Sequence, residues 1–133
     1  MARVLFLFLD GVGLGANDPR SNPLAAAHLP TIERLLEGRL LVADAAPFDG
    51  DRATLISIDA RLGVPGDPQS ASGQATLLTG RNIPKHIGEH YGPKPNEAIA
   101  AALKDGSLFA EVVRRGGRAQ LLNAYPPRYF EAI

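Results

Sequence analysis

The sequence has no cysteine, no tryptophan and a single methionine, and neither sign of charge predominates. Without cysteine there is no disulfide scaffold, no thiolate zinc centre and no cysteine nucleophile. Such a chain suits a reducing compartment, and the expected localisation is cytoplasmic. Lysine plus arginine number 14 and aspartate plus glutamate 14. That balance gives no electrostatic footprint for nucleic acid or an acidic membrane surface, so neither is an expected partner. Long apolar runs are missing as well. The strongest, Val4 to Leu9, falls far short of the roughly 20 residues that span a bilayer.

Hydrophobic residues nevertheless make up 45% of the 133 positions, enough for one globular domain or part of one. Glycine and proline are plentiful, 14 and 11, and concentrate around 11–30, 63–68, 80–95 and 116–127, where loops are expected. Val4 to Leu9 is continuous instead of alternating, the pattern of a strand covered on both faces in a parallel sheet. Leu24 to Leu36 has helical spacing, with Pro30 suited to a first turn and Gly38 to a stop, and reads as a crossover helix. Leu40–Val42, Thr54–Ile58 and Arg118–Ala124 read as short strands. Helices are expected over Ser72–Leu78, Asn96–Leu103 and Ser107–Arg115, the last capped by Ser107, and Pro126-Pro127 opens a final helical segment. Strands alternating with helices predict an α/β fold with a largely parallel sheet flanked by helices.

Two stretches carry chemistry. Leu9-Asp10-Gly11-Val12-Gly13-Leu14-Gly15 puts a carboxylate after the first expected strand, beside glycines that let backbone approach closely. Asp10 can ligate a metal there, or merely cap a turn with Gly11. Gly11, Gly13 and Ala16 also satisfy a dinucleotide pattern. That pattern needs the helix to begin within the glycines, whereas Asn17 to Pro23 interposes a polar loop. The second stretch runs from Pro68 to Arg81. A serine hydroxyl at the entrance to a short helix sits where free N–H groups and the positive dipole end favour an oxyanion or a phosphate. Ser70 and Ser72 are therefore candidate nucleophiles, and the plain alternative is that one of them is an N-cap. An unactivated serine needs a base or metal nearby. No G-x-S-x-G elbow is present, and His28, His86 and His90 show no triad spacing.

Together these residues resemble the alkaline phosphatase-like metalloenzyme superfamily, which includes cofactor-independent phosphoglycerate mutases, phosphopentomutases, nucleotide pyrophosphatases and sulfatases. Val4 to Gly15, Asn22 and Ala27-His28-Leu29-Pro30-Thr31-Ile32-Glu33-Arg34-Leu35 look like a phosphoglycerate mutase opening, in which the aspartate binds metal. Residues 70–81 are similar to the nucleophile segment of sulfatases and their relatives, with Leu77-Leu78-Thr79-Gly80-Arg81 at a fixed interval behind the nucleophile. Counting back, that interval lands on Ser70, and the phosphoglycerate mutase spacing to Gly80-Arg81 agrees. Gln74 stands where sulfatases have arginine and phosphoglycerate mutases histidine, and a serine replaces the formylglycine precursor, which disfavours sulfatase activity.

The resemblance implies metal-dependent phosphoryl transfer, of mutase or phosphatase/phosphodiesterase type, through a phosphoserine at Ser70. Asp10 and Ser70 would be ligands of two divalent ions (Mn²⁺, Mg²⁺ or Zn²⁺) about 3.5–4 Å apart, acting on a small phosphorylated substrate. Gln74, Arg81, Lys85, His86 and His90 are candidates for contacting substrate. The competing expectation is a nucleotide- or phosphate-binding α/β module without catalysis. Superfamily members carry a second set of aspartates and histidines far along the chain, which is missing here. Residues 1–133 are therefore expected to be the N-terminal part of such an enzyme. Alone, the chain is expected to be inactive and to associate with itself or with a missing C-terminal segment.

Overall fold

The computed structural model describes residues 3–123. The chain divides into two compact units, Met1–Asp59 and Ala60–Ile133. In the first, Asn22 caps a single-turn helix α1 (Pro23–Ala26), its Oδ1 accepting from Leu24 N–H at 3.1 Å. Pro30 then opens helix α2 (Pro30–Leu35), its missing N–H harmless at a first position. Glu33 reaches back to accept from Leu29 N–H at 3.0 Å. The expected crossover helix is thus two short helices separated by residues 27–29, with the second beginning at Pro30 as its chemistry requires.

A 3₁₀ turn, Ala43–Ala45, follows, and strands β1 (Phe48–Asp49) and β2 (Thr54–Leu55) pair antiparallel, Phe48 opposite Leu55 and Asp49 opposite Thr54. Ala25, Val42 and Ala45 form the small core of this unit, with Leu40 and Leu55 against it. Arg39 lies over the Phe48 ring, 4.8 Å from its centre. Gly50 has no room for a side chain, because a Cβ there would fall 2.5 Å from Phe48 Cζ.

The second unit is helical. Helix α3 (Ser70–Thr79) ends on Gly80, whose φ of +69° reverses the chain at little steric cost. Helices α4 (Ile83–Ile87), α5 (Glu97–Lys104) and α6 (Leu108–Arg114) follow. Asn82, Asn96 and Ser107 cap them by accepting from the N–H groups of Lys85, Ile99 and Ala110. Small residues on one face of α3, Ala71 and Ala75, let α4 and α5 approach, so that Ile83 and Ile99 are both 0% exposed. Each such burial contributes about 2–3 kcal/mol. The three helices expected at 72–78, 96–103 and 107–115 are therefore present within a residue or two.

The expected sheet is not. Among the described residues the sheet is two-stranded and antiparallel, which overturns the largely parallel sheet flanked by helices and, with it, the N-terminal part of an alkaline phosphatase-like fold. Val4 to Leu9 form no strand, and all six side chains are exposed. The segments expected beside them fold otherwise. Val42 N–H bonds Leu40 O and Ala43 N–H bonds Gly15 O, curling 40–45 into a turn, while Thr54–Leu55 folds back on Phe48–Asp49. Arg118 to Asn123 are exposed and irregular. Ala124 and the segment from Pro126-Pro127 lie outside the described residues. No helix among the described residues is long and apolar enough to cross a membrane.

Candidate functional site at the start of helix α3

Asp10 and Ser70 lie in different units. Asp10 is exposed, sits in a turn with Gly11, whose φ is +72°, and is already engaged by another group of the chain. The glycine-rich stretch after it is organised from within. Asn22 Nδ2 donates to Ala16 O at 2.8 Å, and a Cβ on Gly15 would fall 3.0 Å from the same side chain. Among the described residues no helix starts before Pro23, so these glycines do not form the strand-to-helix turn that a dinucleotide needs. Next to them Asp18 accepts from the backbone N–H and side chain of Arg20 and from Ser21 Oγ. These bonds hold its carboxyl below the usual carboxylate range, the Arg20 backbone bond contributing most.

The two candidate serines separate cleanly. The residue before α3 is Gln69, which makes no side-chain cap, so neither serine is the N-cap. Ser72 is 0% exposed and fully engaged. Its N–H donates to Tyr91 O at 2.9 Å, its Oγ accepts from Tyr91 N–H at 3.0 Å, and the same hydroxyl points at Gln69 O, 3.4 Å away. A serine held so has no path to a substrate. Ser70, at the first helical position, is half-buried and reaches the surface. The first intrahelical bond is Gly73 N–H to Gln69 O. Ser70, Ala71 and Ser72 are accordingly the first-turn amides that the helix does not use; that of Ser72 goes to Tyr91 O, and Gly92 lies against that of Ser70.

The loop after α4 closes this end of the helix. A Cβ on Gly92 would fall 3.1 Å from Ser70 N and 3.2 Å from Gln69 Cβ, so Gly92 packs its bare backbone against the helix start. Beside it lies an open cleft of about 440 Å³ lined by Gly66, Asp67, Gln69, Glu89, His90 and Gly92 among others. His90 Nε2 is 3.2 Å from Val64 O. A larger cleft, about 630 Å³, lies at the other end of α3 among Leu77, Leu78, Asp105, Leu108 and Glu111.

The secondary candidates scatter. Gln74 follows Ser70 by one turn on the same helix face, half-buried and engaged by a partner. The Arg81 guanidinium is tied to the end of α5, donating to Ala102 O at 2.6 Å and to Asp105 Oδ2 at 3.4 Å. It closes a helix terminus instead of facing the cleft. Lys85 and His86 are exposed in the last turn of α4. Among the described residues no three His, Asp or Glu side chains gather as a metal would require, so Asp10 and Ser70 do not by themselves make a two-ion centre. Sequence reasoning missed the part played by Tyr91 and Gly92, whose hold on the start of α3 is made by backbone groups. The one signal for it was Gly92-Pro93, a turn dipeptide placed just before Asn96.

Comparison with protein-family models, with curated proteins and with solved structures finds no match.

Proposed function

We propose that this chain carries the phosphoryl-accepting serine of a metal-dependent phosphoryl-transfer enzyme resembling the alkaline phosphatase-like metalloenzymes, with Ser70 as the nucleophile. The observation that carries the reading is the contrast between the two serines: Ser72 is buried and engaged by Tyr91, while Ser70, at the first position of α3, is half-buried and reaches the surface. The Ser70 oxygen would form its bond to phosphorus as the bond to the leaving oxygen breaks, the leaving group departing as an alcohol. Water, or a second hydroxyl of the substrate, then takes the phosphoryl group and restores Ser70. The positive dipole end of α3 favours the negative charge that develops there. Divalent cations would supply the charge that activates the Ser70 hydroxyl, and among the described residues no three His, Asp or Glu side chains gather to hold one.

The test is to trap the intermediate in protein made from the complete gene, supplied with Mn²⁺, Mg²⁺ or Zn²⁺ and an aryl phosphate, and to map the phosphate by mass spectrometry. Phosphate on Ser70, lost in Ser70→Ala, is the expected result. Phosphate on Ser72 or Thr76 would overturn the assignment. Tight metal-free binding of ATP or NAD with no phosphoserine would replace the enzyme with a binding module.

A further inference from the structure

Three Asp-Gly dipeptides occur in the chain, Asp10-Gly11, Asp49-Gly50 and Asp105-Gly106. A glycine after aspartate leaves its backbone nitrogen unshielded by a side chain and its backbone free to turn. That nitrogen can attack the aspartate's own carboxyl carbon and close a five-membered imide. Ring closure needs both the carboxyl and the next N–H released from other partners. Asp10 is engaged by another group of the chain. At Asp49-Gly50 both reacting groups are held. Asp49 lies in β1, its Oδ1 accepting from Thr54 Oγ1 at 2.7 Å, and Gly50 N–H donates to Ala53 O at 3.0 Å. Gly50 is also packed against Phe48, whose Cζ would lie 2.5 Å from a Cβ there.

Asp105-Gly106 joins α5 to α6 and is held far less. In a helix that ran on, Gly106 N–H would bond the carbonyl four residues back, Ala102 O. Arg81 takes that oxygen instead, at 2.6 Å, and Gly106 N–H donates to no backbone oxygen among the described residues. Gly106 is exposed at a φ of +156°, and a Cβ on it would meet nothing within 4 Å. The Asp105 side chain is 70% exposed, and its Oδ2 meets Arg81 at 3.4 Å, a contact between two solvated groups that restrains it weakly.

We propose that Asp105-Gly106 is a site of isoaspartate formation, while the fold protects Asp49-Gly50. Gly106 N bonds to Asp105 Cγ as a Cγ–O bond breaks, and the hydroxyl of the carboxylic acid leaves with the amide proton as water. Water then opens the imide. Attack at Cγ restores aspartate, whereas attack at the main-chain carbonyl of Asp105 leaves Gly106 joined to Cγ and a free carboxylate on Cα. Water is released and taken up again, so the step needs no other reactant. The new linkage lengthens the α5–α6 joint by one carbon and takes the carboxylate from its place beside Arg81. This chemistry is independent of any role for Ser70.

The experiment incubates the folded protein and the same protein in urea side by side near neutral pH. Peptides are then mapped by electron-transfer fragmentation mass spectrometry, which distinguishes the two linkages. In the folded protein isoaspartate at 105 should exceed that at 49 several-fold. In urea the two should converge, because both aspartates precede glycine and neither keeps its folded partners. Asp105→Glu keeps a carboxylate near Arg81 but would have to close a six-membered ring, and the altered linkage at 105 should disappear. Equal or greater isoaspartate at 49 in the folded protein would overturn the assignment. So would an excess at 105 that persists undiminished in urea, since the fold would then not be its cause.

Discussion

Among the described residues the most apolar stretch is exposed throughout, while a bland one is well buried. Val4 to Leu9 leave Val4 91% and Leu7 71% exposed, whereas the glycine- and serine-rich run from Ser70 to Ala75 buries Ala71, Ser72 and Ala75. Hydrophobicity did not decide between them; the source of the hydrogen bonds did. A helix pairs its backbone within itself and needs only caps at its ends. The α4, α5 and α6 caps come from Asn82, Asn96 and Ser107, each immediately before its helix. A strand takes every hydrogen bond from another segment. No strand among the described residues pairs with Val4 to Leu9.

The sharpest test of that contrast swaps leucine-sized truncations between the two regions. Ile99→Ala should destabilise the helical unit by about 2–5 kcal/mol, through lost burial and an unfilled cavity against Ala71, Ala75 and Ile83. Leu7→Ala should stay within about 0.5 kcal/mol, because its side chain is already in water. Urea unfolding followed by the helical circular dichroism signal measures both, and a cost for Leu7→Ala as large as that for Ile99→Ala would break the comparison.

A smaller effect is expected inside α3 itself. Ser72→Ala leaves the Tyr91 N–H without its acceptor at a fully buried site, which should cost about 1–3 kcal/mol and speed amide exchange at Tyr91. Ser70→Ala should change stability by less than about 0.5 kcal/mol while abolishing the phosphoenzyme. Matching stability losses for the two serines would show that Ser70 is structural.

The smallest effect concerns pH at α6. Glu111 receives Arg114 at 2.7 Å and Arg115 at 2.6 Å, and these bonds, the Arg114 one first, hold its carboxyl below the usual range. A carboxylate lowered in the folded state adds stability that is complete above its unfolded pKa and is lost as pH falls through the lower, folded one. Protection of the 108–114 amides, taken as the exchange rate relative to that of unprotected peptide at the same pH, should therefore stay constant from neutral pH down to the ordinary glutamate range and fall only below it. The change should be small and salt-sensitive, since all three side chains face solvent. Glu111→Gln should remove the pH dependence, and a protection that falls near neutrality would point to another group.

Residue chemistry made much of the candidate site legible, but not its geometry. Residue types leave Ser70 and Ser72 open, the family resemblance implies Ser70 through its interval to Gly80-Arg81, and the structure separates the two serines by burial and partners. Arg81 shows the opposite case. Its place in that motif suggests substrate contact, yet its guanidinium is drawn to the carbonyl end of α5, where a cation is favoured. Nothing in the linear sequence says that α5 ends beside residue 81.

By itself the sequence determined three helices of the second unit, α3, α5 and α6, with the Ser107 cap and the Gly80 stop, though not α4, which falls in the 80–95 stretch expected as loop; it also determined the loop that interrupts the glycine-rich stretch and the absence of thiol chemistry. All of these depend on residues within a turn or two of one another. Only the tertiary structure decided that Ser72 is locked to Tyr91, that His90 is held by Val64, that Arg81 closes α5, and that Val4 to Leu9 form no strand. In each of these the partner lies far along the chain or is lacking among the described residues, and hydrogen bonding and burial with a distant partner leave no periodicity for a sequence to display.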